Sequence, residues 1–71
     1  MNKIPRFMKE YANYQISSIQ GYDLMQEKFK TYGIDNVRRV LRNFEKGLIT
    51  VEEAMDNVTH VFRDLKEEAN V

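Results

Sequence analysis

Asp56, His60 and Asp64 are the residues of this sequence whose types and spacing could do chemistry at a metal ion. On an α-helix, steps of four place all three on one face, and carboxylate and imidazole groups are zinc ligands. A structural zinc site needs about four ligands, and the sequence has no cysteine and no second histidine. The three residues also fall opposite the apolar stripe of their helix, on the solvent side. We therefore predict no metal site and no cofactor.

The segment before these residues is similar to half of a calcium-binding EF-hand loop. Gly47, Ile49 and Glu53 match its glycine, its aliphatic residue and its final glutamate. The same register places Arg42, Phe44 and Lys46 where the loop needs side-chain oxygen ligands. None of those three side chains can bind calcium, so the similarity reflects a shared turn and helix cap.

Enzymatic chemistry finds no support in the sequence. There is no glycine-rich phosphate loop and no G-x-S-x-G turn, and Ser17 and Ser18 have no base nearby in the sequence. A helical domain of this size also has little room for a ligand pocket of the usual volume, which starts at roughly 300 Å³. We predict that the protein is not an enzyme.

A strip of basic side chains has the charge needed to bind nucleic acid. It consists of Arg38, Arg39, Arg42 and Lys46. In a helix-turn-helix protein, the helix after the turn presents donors and cations to the DNA. Here that helix opens with Glu52, Glu53 and Asp56, which would repel phosphate. A nucleic-acid-associated transcriptional regulator that uses the basic strip is therefore the alternative hypothesis. Arg39 is expected to point furthest from the acidic helix.

Aromatic residues concentrate in the first half of the chain. All four tyrosines lie there, together with Phe7, Met8, Met25 and Phe29. Such residues are enriched at the centres of protein interfaces, although they also build cores. We predict an interaction or regulatory module, with self-association expected, that acts through an aromatic helix face. The residues predicted to form this face are Tyr11, Tyr14, Tyr22 and Met25.

The C-terminal elements are predicted most clearly, as helices over residues 34–47 and 50–68. Thr50 and Glu53 have the spacing of a capping box, and an apolar stripe follows them. Asp35 is a good N-cap for the middle helix, and Gly47 ends that helix. The connection between Gly47 and Thr50 is so short that the two helices must form an antiparallel hairpin.

The charges of the two halves of the chain are complementary. Residues 1–50 have a net charge of +4 and residues 51–71 a net charge of −4. In an antiparallel hairpin, Arg38 and Arg42 are expected to lie near Glu52 and Asp56. Because the whole chain has no net charge, nucleic acid and anionic membranes are not predicted partners.

Residues 1–33 form the N-terminal helical segment. We favour one long helix of about 26 residues, starting near Pro5 and ending at Gly33. The alternative breaks this helix near Gly21 and gives four helices in all. Ile16 and Ile19 fall outside the heptad-like seam of this segment and are expected to widen its apolar surface toward a second neighbour, the hairpin or another chain. The residues of the seam are Met8, Tyr11, Gln15, Ser18, Tyr22, Met25, Phe29 and Tyr32.

The predicted fold is thus a single all-α domain over residues 1–71, with a long N-terminal helix packed on a C-terminal antiparallel hairpin. A 71-residue chain buries only about 60% of its unfolded surface. With no disulfide available, a partner subunit is the natural way to bury more. Lys3 and Arg6 are followed by no apolar run, so we expect neither a signal peptide nor a membrane span, and a cytoplasmic location.

Overall fold

The computed structural model describes residues 2–69, except for the side chain of Ala69, and over this range the chain contains helices and no strands. The three helices are α1 (Arg6–Gln20), α2 (Glu27–Glu45) and α3 (Val51–Ala69). All three helices pack against one another. The predicted all-α fold, an N-terminal helix on an antiparallel hairpin, is confirmed. Within the described range, no helix is long and apolar enough to cross a membrane.

The turn between α2 and α3 has the geometry predicted from its residues. Gly47 adopts a left-handed conformation with φ of 78°. Its N–H donates to the carbonyl oxygen of Phe44, and the Leu48 N–H donates to that of Asn43, each at 2.9 Å. This pair of bonds is a Schellman motif, which satisfies carbonyl groups at the end of α2.

The capping box at the start of α3 is also present. The Thr50 N–H donates to Glu53 Oε1 at 3.0 Å, and the Glu53 N–H donates to Thr50 Oγ1 at 3.1 Å. These reciprocal bonds satisfy two backbone donors that the helix itself cannot pair. The hairpin is therefore closed by short-range interactions from both sides of the turn.

The favoured continuous helix from Pro5 to Gly33 is wrong, and the alternative break near Gly21 is the one observed. The helix α1 ends at Gln20, and residues 21–26 connect it to α2. The Lys30 ammonium group donates to the Gln20 carbonyl oxygen at 2.9 Å, which ties the end of α1 to α2. At 15 residues, α1 is shorter than α2 and α3, which have 19 each.

Gly33 and Asp35 do not mark a helix boundary, contrary to the prediction. The helix α2 begins at Glu27 and continues through both residues, so a break at Gly21 gives three helices rather than four. Gly33 is buried, and a methyl group added there would collide with Leu65 Cδ1 and come 3.3 Å from Ile19 Cδ1. The glycine thus allows α2 to approach α1 and α3 closely, which offsets its low helix propensity.

The buried face of α1 is rotated from the predicted seam. Its buried residues are Met8, Ala12, Gln15 and Ile19. Ile19, predicted to widen the apolar surface beside the seam, is fully buried, whereas the seam residue Tyr11 is only half-buried. This face divides between two clusters: Ala12 and Ile19 pack with Val37, Val58 and Leu65, and Met8 packs with Phe44 and Ala54. Tertiary packing, rather than the longest apolar repeat, selects the buried face.

Candidate interaction surfaces

Phe7, Tyr11 and Tyr14 form one line of aromatic side chains on α1, called here the α1 stripe. Steps of four and three residues place them on the same face of the helix. Phe7 is 55% exposed and Tyr14 is 67% exposed, while Tyr11 between them is half-buried. The stripe therefore presents two large aromatic surfaces to solvent on either side of an anchored tyrosine.

Tyr11 is anchored by a hydrogen bond to α3. Its hydroxyl group contacts Thr59 Oγ1. The Thr59 hydroxyl group donates its proton to the Met55 carbonyl oxygen at 2.9 Å, so Tyr11 is the donor in the bond between the two side chains. This bond ties the middle of the α1 stripe to α3.

The four residues predicted to form the interaction face have different environments. Tyr14 is exposed, Tyr11 and Tyr22 are half-buried, and Met25 is in the core with 5% exposure. The Tyr22 ring meets the Phe62 ring edge-on, with centroids 5.8 Å apart. Tyr11, Tyr22 and Met25 thus help to hold α1 and its connection on the hairpin. Phe7 was not among the predicted residues, although its seven-residue separation from Tyr14 was a signal for it.

The basic strip at the C-terminal end of α2 does not pair with the acidic residues of α3. Arg38, Arg39, Arg42 and Lys46 are all exposed. In the described part of the chain, each ion pair lies within one helix and none joins α2 to α3. Ion pairs of Arg38 and Arg42 with Glu52 and Asp56 are therefore not formed among these residues. The reason is geometric, because the helical repeat places Arg38 and Arg42 on the side of α2 that faces away from α3.

Between α2 and α3, on the face that α1 leaves uncovered, lies an open groove of about 400 Å³. Its α2 wall consists of Tyr32, Asn36, Arg39 and Asn43. Its α3 wall consists of Asn57, His60, Asp64 and Glu68. Val40, Val61 and Leu65 form an apolar floor. We call this feature the open groove. Its volume falls in the range of ligand-binding clefts, roughly 300 to 1,000 Å³, which differs from the expectation that so small a domain has little room for one.

Arg39 faces the open groove, which corrects the expectation that it points furthest from the acidic helix. It shares the groove with Asp64 and Glu68 of α3. Within residues 2–69, none of these three side chains forms an ion pair. The groove therefore offers one cation and two carboxylates whose charges are not neutralised by each other.

The amides of Asn36, Asn43 and Asn57 are also unused. No hydrogen bond within the described residues involves any of these side chains. Asn36 and Asn43 are half-buried, so both amides lie at the surface of the groove rather than extending fully into solvent. Sequence patterns did not predict this groove, because its walls come from residues far apart in the chain.

The residues considered for metal binding do not converge. His60 Nδ1 is 2.8 Å from the Asp56 carbonyl oxygen and 3.5 Å from Asp56 Oδ1. Over the described range, no group of three histidine, cysteine, aspartate or glutamate residues is placed to hold a metal ion. His60 and Asp64 instead belong to the wall of the open groove.

Comparison of the chain with protein-family models, curated proteins and solved structures finds no match. The two surfaces just described are therefore the basis for assigning a function.

Proposed function

We propose that the protein is a non-enzymatic protein-interaction or regulatory module that docks through the α1 stripe. The observation that carries this proposal is the exposure of Phe7 and Tyr14 on one face of α1. Tyrosine and phenylalanine are enriched at interface centres because they bury a large area at a small cost in side-chain entropy. Here both rings remain outside a bundle that already has its own core.

Self-association is the proposed mode. A chain with no formal net charge experiences little repulsion between copies. In a two-fold symmetric pairing of α1 helices, the same stripe serves both copies. An antiparallel arrangement would place Phe7 of one copy opposite Tyr14 of the other. The dimer would then cover the exposed aromatic surface on both chains.

The test is the mass of the protein in solution as a function of concentration. Wild-type protein is expected to shift from monomer to dimer, and the double variant F7S/Y14S is expected to stay monomeric. L24S is the matched control, because Leu24 is 73% exposed but lies in the α1–α2 connection, off the stripe. A wild-type protein that stays monomeric throughout, or a double variant that still dimerises, contradicts self-association through this stripe.

A regulator that contacts nucleic acid through Arg38, Arg39, Arg42 and Lys46 is the second candidate. It is supported by the absence of any ion pair between these side chains and α3 in the described residues. Such binding should fall steeply as salt rises. Titration onto duplex DNA tests it, with R38E/R42E expected to abolish binding. An affinity that does not depend on salt would exclude it.

The proposal also includes a cytoplasmic location and the absence of catalysis. The location rests on the lack of an apolar run after Lys3 and Arg6, and the absence of catalysis on the lack of a glycine-rich phosphate loop or a G-x-S-x-G turn in the sequence.

A further inference from the structure

We propose that the open groove binds an extended peptide segment of a partner protein, with a lysine or arginine of that segment seated against Asp64 and Glu68. Three features of the groove carry this inference: the unused amides on both walls, the unpaired carboxylates of α3, and the apolar floor. The groove lies on the opposite side of the hairpin from α1. The inference is therefore independent of the α1 stripe.

A helix from a partner protein does not suit this groove. The helix that does pack on the hairpin, α1, buries Met8, Ala12 and Ile19 against it. The open groove instead presents Asn36, Asn43 and Asn57. A docked helix has already paired its own backbone groups, so it could leave these amides without partners at a cost in free energy.

An extended peptide supplies partners that replace the water these amides lose when the groove is covered. Its backbone N–H and C=O groups are free, and an asparagine side chain can donate to one and accept from the other. The α2 wall from Tyr32 to Asn43 is about 16 Å long at 1.5 Å per residue. That length accommodates about five residues of extended chain.

The charges of the groove favour a basic side chain in the bound peptide and determine where along the groove it lies. Gly33 of α2 packs against Leu65 of α3, so Asp64 and Glu68 lie at the end of the groove remote from the hairpin turn. They outnumber Arg39, the one arginine or lysine among the described residues that line the groove. A basic side chain at that end of the peptide would meet the carboxylates, whereas an acidic one would be repelled.

The experiment measures binding of short fluorescent peptides that alternate threonine and valine and carry a lysine, glutamate or norleucine at one end, where it can reach Asp64 and Glu68. The lysine peptide is expected to bind about tenfold more tightly than the glutamate peptide. D64N/E68Q should remove this preference and leave the affinity for the norleucine peptide unchanged. That selective effect separates charge recognition from a general loss of structure.

The amides are tested with N36L and N43L, each of which is expected to weaken the lysine peptide about tenfold. N13L is the matched control, since Asn13 is an exposed asparagine on α1, outside the groove, and it should bind as wild type does. Nitrogen-15 spectra report whether each variant folds. If N36L unfolds, N43L still decides the question.

The same spectra locate the bound peptide. Side-chain amide signals of Asn36, Asn43 and Asn57 should shift on adding the lysine peptide. Shifts confined to α1 would overturn the proposal, as would equal affinities for lysine and glutamate peptides or unchanged binding by N43L. Groove signals that move with protein concentration alone would also overturn it, because a second copy would then be the occupant.

Discussion

The two sides of the α2–α3 hairpin differ in chemistry, and that difference decides which side is filled. On one side, Phe62 packs edge-on against Tyr22, and α1 covers the hairpin. On the other side, Asn36 and Asn57 face an open groove. The same two helices thus present an apolar face, which the chain closes with its own N-terminal helix, and a polar face, which it leaves accessible. Burial of apolar area drives the first contact, and the second face offers hydrogen bonds that water already satisfies.

Truncating a residue of α1 that packs on the covered side of the hairpin should have the largest effect on stability. Ile19 is fully buried between α1 and the hairpin, so I19A should lower the free energy of unfolding by about 2–4 kcal/mol. Val61 lies in the floor of the open groove and is only half-buried, so V61A should cost about 1 kcal/mol or less. Urea denaturation measures both. Equal losses would mean that the two sides contribute alike.

The close approach of the helices at Gly33 gives the next largest effect. A methyl group there collides with Leu65, so G33A should destabilise the fold by about 1–3 kcal/mol, despite the gain in helix propensity. Gly21 provides the contrast, since the one described atom that an added methyl group meets is the Ser17 carbonyl oxygen, at 3.4 Å. G21A should change stability by no more than about 1 kcal/mol. A G33A protein at least as stable as wild type would show that Leu65 can move aside.

Gln15 is a polar residue on the otherwise apolar face of α1. It is 8% exposed, and its Oε1 atom accepts no hydrogen bond from the residues that the structure describes. Replacing it with methionine removes a buried, unpaired acceptor, so Q15M should raise the free energy of unfolding by about 1 kcal/mol. Q20M, at the exposed end of α1, should have almost no effect. A loss of stability in Q15M would indicate that the amide has a role in the folded state.

The hydrogen bond between Tyr11 and Thr59 gives the smallest predicted effect. Y11F removes the donor and should cost about 0.5–1 kcal/mol. Y14F changes a hydroxyl group on a mostly exposed side chain that makes no hydrogen bond within the described residues, so its unfolding midpoint should match wild type. Thermal denaturation compares the two variants. Identical midpoints would assign the anchoring of α1 to packing alone.

The sequence by itself determined the features that depend on neighbouring residues. The left-handed Gly47 and the capping box of Thr50 and Glu53 formed as predicted. Each involves groups within a few positions of one another, so local chemistry specifies it whatever the rest of the chain does. The antiparallel hairpin follows from that short turn.

Only the tertiary structure decided where α2 begins, which aromatic rings stay exposed, and how the open groove is built. Gly33 had the local signature of a helix boundary, yet its place against Leu65 keeps it inside α2. Tyr11 and Tyr14 are alike in sequence, but among the described residues only Tyr11 forms a hydrogen bond to α3. These outcomes depend on residues far apart in the chain, whose approach is set by the packing of whole helices.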